Sequence, residues 1–88
     1  MAYFVVTYDL IQQKDYETLT DELTRIGGEK AALSVWLVEQ NLSALEMRKH
    51  LQGFVDDDDK LIVVEFSKKP SWTKAFTKGV DWINARFS

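Results

Sequence analysis

Asp9 closes an apolar, β-rich run, Tyr3-Phe4-Val5-Val6-Thr7-Tyr8, and is the first charged side chain of the 88-residue sequence. A carboxylate at a strand's exit can ligate a metal or cap the turn that follows, and both roles need it at the sheet's edge, where water reaches. Mg2+ takes one or two carboxylates together with water and substrate oxygens. A lone Asp9 is therefore too few ligands, and two of them supplied by symmetry suffice. Asp56-Asp57-Asp58-Asp59 is the densest acidic run. It lacks the alternating ligands, central Gly and terminal Glu of a Ca2+ loop, and reads as a solvated connection between a helix and a strand. His50 stands alone, one turn after Glu46, and general base catalysis needs a partner and a pocket that the sequence does not supply. It reads as a surface histidine. No Ser/His/Asp constellation, glycine-rich phosphate loop or metal-spaced His/Glu pair is present.

The remaining candidates lie in the tail, residues 67–88, where Lys68, Lys69, Lys74, Lys78 and Arg86 alternate with Trp72, Phe76 and Trp82. Up to residue 66 there are six Lys/Arg against thirteen acids; beyond it there are five against Asp81 alone. An acidic body with a basic tail marks an anion-binding tail or one that docks on an acidic partner. Cations beside aromatics suit phosphate contacts with base stacking. The same residues also fit a docked amphipathic helix with solvated lysines.

The elements that must position these groups follow from periodicity. Residues 3–10 read as a central strand covered on both faces. Asp15 is the expected N-cap of a first helix whose Tyr16, Leu19, Leu23 and Ile26 form one apolar stripe, stopped by Gly27-Gly28. Residues 29–33 form a short strand bending into a second one over 34–39. Ser43-x-x-Glu46 is a capping box, with Leu42 and Met47 as its hydrophobic staple. Ala44, Met47, Leu51, Phe54 and Val55 continue that helix's buried stripe. Leu61-Ile62-Val63-Val64 reads as a fully buried strand running to Phe66. After Pro70, Ser71 is expected to cap a last helix with Trp72, Phe76, Val80, Ile83 and Phe87 on one stripe and Gly79 as a kink. Trp82 falls off that stripe and is expected to be exposed or at an interface.

This order predicts an α+β fold, a ferredoxin-like βαββαβ sandwich with an added C-terminal helix, in one domain over 1–88 (core 1–66; basic, aromatic helical extension 67–88). At this length the core is marginal unless a partner surface adds to it. There are no cysteines, hence neither a disulfide framework nor a thiolate metal site, which fits a reducing compartment. No apolar run reaches membrane-spanning length and no signal-like N-terminus is seen, so the expectation is a soluble, unprocessed, cytoplasmic protein with no membrane partner.

Tyr8-Asp9 closing a first strand, a helix ending at Gly27, Ser34-Val35-Trp36 opening a strand, the capped helix from Ser43 and the acidic loop before Leu61-Ile62-Val63-Val64 together resemble the small CRISPR-associated adaptation protein superfamily, the second core protein of those systems. The resemblance spans roughly residues 3 to 66. It is closer to the stand-alone branch, small relatives encoded outside CRISPR loci, and to the related virulence-associated toxin proteins. It implies a homodimer formed sheet to sheet, in which Asp9 from both subunits reaches a shared cleft and holds Mg2+ or Mn2+, with Ser34 nearby. It also implies association with RNA or DNA, as a metal-dependent endonuclease or as a scaffold. Two departures stand out. Family members often carry Arg or Lys just before that serine, where this chain has Ala31-Ala32-Leu33, and the family's C-terminal strand is replaced by a helical pattern. The candidate set is therefore Asp9 and Ser34 for catalysis, Asp9 for metal, and Lys68, Lys69, Lys74, Lys78, Arg86 and Trp82 for nucleic acid. A non-catalytic protein-interaction or assembly module is the alternative.

Overall fold

The computed structural model describes residues 1–11 and 13–87, with residues 13–15 described by backbone alone. In chain order the elements are β1 (Ala2–Asp9), α1 (Gln13–Arg25), β2 (Glu29–Ala32), β3 (Val35–Gln40), α2 (Ala44–Gln52), β4 (Lys60–Phe66) and α3 (Thr77–Arg86). The four strands form one sheet in the order β2-β3-β1-β4, antiparallel at every junction. α1 thus links β1 to β2 across β3, and α2 links β3 to β4 across β1. This is an α+β arrangement compatible with the ferredoxin-like expectation.

Local signals account for most boundaries. Ser43 caps α2 by accepting from the Glu46 N–H at 3.1 Å, while the Glu46 carboxylate accepts from the Ser43 N–H at 2.9 Å, so the capping box is complete. Hydrogen bonds from Ser43, first its backbone N–H and then its side chain, hold the Glu46 carboxyl below its ordinary range. Gly27 takes φ +85° and ends the α1 segment in the left-handed region that glycine enters without strain. Asp15 does not cap α1. The helix begins at Gln13, so the good helix formers Gln13 and Lys14 precede it inside the first turn.

Alternation along β1 assigns its side chains to two faces. Phe4, Val6 and Tyr8, with Trp36 and Val38 of β3, pack against Leu19 and Leu23 of α1 and Met47 and Leu51 of α2. Within this core the Trp36 Nε1–H donates to the Tyr8 hydroxyl at 2.9 Å, satisfying both polar groups. Burial pushes the Tyr8 phenol up, against the Trp36 hydrogen bond. The other face is different. α3 lays Trp82 and Ile83 on Ala31 and Leu37, with Tyr3, Phe66 and Phe87 packed around them.

Three expectations need correcting. β4 is not fully buried: it is an edge strand, and Ile62 and Val64 are 58% and 50% exposed. Cover on that face is partial, because α3 lies mainly over β2 and β3 and reaches Phe66 at one end of β4 but leaves Ile62 and Val64 exposed. The tail helix starts at Thr77 rather than after Ser71, so Trp72 and Phe76 are exposed instead of striped into the core. Its backbone explains the late start: the Phe76 N–H donates outward to the Ala31 carbonyl on β2 at 2.9 Å, tying residue 76 to the sheet edge. Gly79 is no kink. A Cβ there would meet the Ala31 Cα and Cβ at 2.7 Å, so its missing side chain lets α3 sit flush on β2. Among the described residues no helix is long and apolar enough to cross a membrane.

Candidate functional site

Asp9 is the last residue of β1 and is exposed. In the β1–β4 register it lies opposite Lys60, an opposite-charge cross-strand position, and two residues earlier Thr7 pairs with Val35. Ser34, immediately before Val35 in the β2–β3 turn, is half-buried and belongs to the same end of the sheet. The structure therefore brings Asp9 and Ser34 to the same end of the sheet.

The backbone beyond Asp9 is fixed from two sides. The Tyr16 hydroxyl of α1 accepts from the Leu10 N–H and donates to the Leu10 carbonyl, each at 3.3 Å. Asp59 Oδ1 accepts from the Ile11 N–H at 2.8 Å, while its Oδ2 accepts from the Asp56 N–H at 2.8 Å. The acidic run is thus more than a solvated connection: its last member ties the loop before β4 to the turn after β1. Asp9 stands at the edge of this braced turn, a hard-oxygen donor of the kind Mg2+ and Mn2+ take. Among the described residues of one protomer, no group of three or more His, Cys, Asp or Glu side chains is arranged to hold a metal ion.

The tail candidates separate into two sets. Lys68, Lys69 and Lys74 on the connection, and Lys78 in the first turn of α3, are exposed. Arg86 and Trp82 are not available in that way. Arg86 Nε donates to Glu39 Oε1 at 2.8 Å, its Nη1 donates to the Trp82 carbonyl at 3.1 Å, and its guanidinium lies 4.2 Å over the Trp82 ring. Trp82 is only 4% exposed, edge-on to Tyr3 at 5.6 Å and tilted against Phe66 at 6.2 Å. It cannot stack a base from there. The error was one of phase: the expected stripe was counted from Trp72, which is outside the helix, whereas Gly79, Trp82, Ile83 and Arg86 share one side at i, i+3, i+4 and i+7.

One polar cluster was not anticipated. Glu22 is buried, 5% exposed, and receives two bonds from Arg25, Nε at 2.5 Å and Nη2 at 2.6 Å. His50 Nε2 from α2 lies 2.5 Å from Oε2, the oxygen that also accepts from Arg25 Nη2, so the carboxylate bridges the two helices. The Arg25 bonds, with His50 adding to them, hold the Glu22 carboxyl down at about 2 against the upward push of burial. The signal was in the sequence: Glu22 falls between Leu19, Leu23 and Ile26 on the buried stripe, where a charge requires a partner. His50 is that partner rather than an isolated surface residue. No family model matches the chain.

Proposed function

We propose that the chain is a ferredoxin-like protomer with an added C-terminal helix that works as a cytoplasmic homodimer associated with RNA or DNA, in the manner of the CRISPR-associated adaptation proteins its sequence resembles. The observation that carries this reading is the position of Asp9 on the sheet. It continues the row Tyr3, Val5, Thr7 and so belongs to the face on which Ile62 and Val64 are left open. Pairing two copies through that face, with the two-fold axis near the Asp9 end, brings two Asp9 carboxylates and two Ser34 hydroxyls to one cleft. Two aspartates with water and phosphate oxygens meet the needs of Mg2+ or Mn2+. Such an ion, when bound, polarises a phosphoryl oxygen and acidifies a coordinated water. Lys68, Lys69, Lys74 and Lys78 are the side chains that reach for phosphates, since the body of the chain is acidic.

Sedimentation at micromolar concentration should show a dimer. Asp9→Asn should abolish Mg2+- or Mn2+-dependent cleavage of RNA or DNA and leave folding nearly intact, because the amide keeps the size but lacks the charge. A clean monomer removes the shared site, and equal activity in wild type and variant removes its catalytic role. Burial of Trp82 and Arg86 takes the best stacking group and one cation out of the tail, and this favours the second reading, a non-catalytic protein-interaction or assembly module. That reading expects the dimer to persist with no nucleic acid bound even at low salt.

A further inference from the structure

At the opposite edge of the sheet from β4, the chain leaves α1 at Gly27, enters β2 at Glu29, and is met there by the start of α3. Between these segments lies a cleft of about 490 Å3, a size that takes small-molecule ligands. Its floor is closed: a Cβ on Gly28 would come within 2.8 Å of the Leu23 carbonyl and 3.3 Å of the Trp36 ring, so the backbone is sealed onto the core. Lys30 of β2 and Lys78 of α3 both line it, with Thr77 and Phe76 from the start of α3. Phe76 is 46% exposed while its own N–H is anchored to Ala31, which makes it a fixed aromatic platform on the surface. An adjoining cleft of about 350 Å3 continues past Lys78 toward Arg86.

Two cations from separate elements, a hydroxyl and an anchored aromatic ring match a phosphate joined to a flat base. We infer that this cleft binds a nucleoside 5′-monophosphate, with the phosphate between Lys30 and Lys78 beside Thr77 and the base on Phe76. Glu29, the acidic side chain on the lining, suits the ribose hydroxyls as an acceptor and limits the excess positive charge to that of one phosphate. The same moiety occurs in a free nucleotide and at the phosphorylated 5′ end of a strand. The site is separate from the Asp9 rim, since β2 is two strands from β1. It stands or falls without the paired-aspartate reading.

Calorimetric titration of the full chain at low salt with adenosine 5′-monophosphate, adenosine and inorganic phosphate tests the assignment. The monophosphate should bind, and adenosine and phosphate should each bind about tenfold or more weakly than it does. Lys30→Gln and Lys78→Gln should each weaken the monophosphate about tenfold, as loss of one charge-assisted bond does. Phe76→Leu should weaken it several-fold and leave inorganic phosphate unchanged, while Asp9→Asn should leave the affinity for the monophosphate as it is. Amide shifts at Gly28, Lys30 and Thr77 report the location independently of any variant. A short oligonucleotide that binds more tightly with a 5′-phosphate than with a 5′-hydroxyl, and more tightly than the mononucleotide, assigns the strand end as the source; otherwise the source is the free nucleotide. No binding at millimolar monophosphate, indifference to both lysine variants, or shifts centred on Lys68 and Lys69 instead would overturn the inference.

Discussion

On the sheet face carrying Phe4, Val6 and Tyr8, two helices bury every large side chain of β1, and Leu19, Leu23, Met47 and Leu51 are fully enclosed. On the face carrying Tyr3, Val5 and Thr7, one short helix covers the β2–β3 half and reaches Val5 and Phe66, while their β4 neighbours Ile62 and Val64 stay exposed. Both faces are apolar, so the difference is one of cover rather than composition. The first face has the helices it needs within one chain. The second has an apolar surface that one chain leaves open, next to an exposed carboxylate. Exposed apolar pairs in register are where a partner gains most by burying them.

The sharpest test of this contrast is at Trp82, which holds the covered half of the second face. Trp82→Ala should cost about 3–5 kcal/mol in chemical denaturation, the range for removing a large buried ring. Trp82 Nε1 is buried with no hydrogen-bond partner among the described residues, so Trp82→Phe should cost far less, about 1 kcal/mol, because it also removes an orphan donor. If both variants lose equally, the face is held by something other than ring packing.

An intermediate effect is expected on the first face, at the Glu22 bridge between its two helices. The folded carboxyl sits at about 2 against an ordinary 4.5, so its contribution is fully present above about 4.5 and is lost as pH falls toward 2. Glu22→Gln should remove that acid-side loss and cost about 1–2 kcal/mol at neutral pH, discounted because Arg25 is mostly exposed. Parallel acid titrations of wild type and variant would show the bridge to be idle.

The smallest effect on the protomer is expected at the open pairs. Ile62→Thr with Val64→Thr should change unfolding free energy by less than about 0.5 kcal/mol per site, as surface positions do. The same change should shift the sedimentation profile from dimer to monomer. A large loss of stability with an unchanged profile would place these side chains inside the protomer and end the comparison.

Periodicity in the sequence was enough for the two long helices, because Leu19, Leu23, Met47 and Leu51 repeat at helical spacing and the Ser43–Glu46 box marks a start. It also brought Asp9 to a sheet end. It was not enough for β4, since a short apolar run such as Leu61-Ile62-Val63-Val64 carries no record of which faces other elements will reach. Covering is a tertiary outcome. The tail failed for a related reason: its aromatics admit two helical phases, and the choice between them depends on Ala31, which lies in a different strand. The bridge to His50 was hidden because its two halves are 28 residues apart in sequence. Asp9 is the same kind of case: among the described residues no three His, Cys, Asp or Glu side chains are grouped to hold a metal ion, so its surroundings in one chain do not assign it a role.

The contact of Gly79 with Ala31 has a consequence for how the second face is kept covered. Both this contact and the Phe76–Ala31 bond join β2 to a segment made after every strand, so they close a long loop whose entropy must be lost before either contact forms. α3 is therefore held to the sheet by contacts of long sequence separation. Under α3 lie Tyr3, Leu37 and Phe66, and beside them Ile62 and Val64 stand exposed on the same sheet face. The flush fit that a single hydrogen atom permits at Gly79 is thus what keeps Tyr3, Leu37 and Phe66 under cover: any larger side chain there lifts α3 off β2 and lays that apolar surface bare.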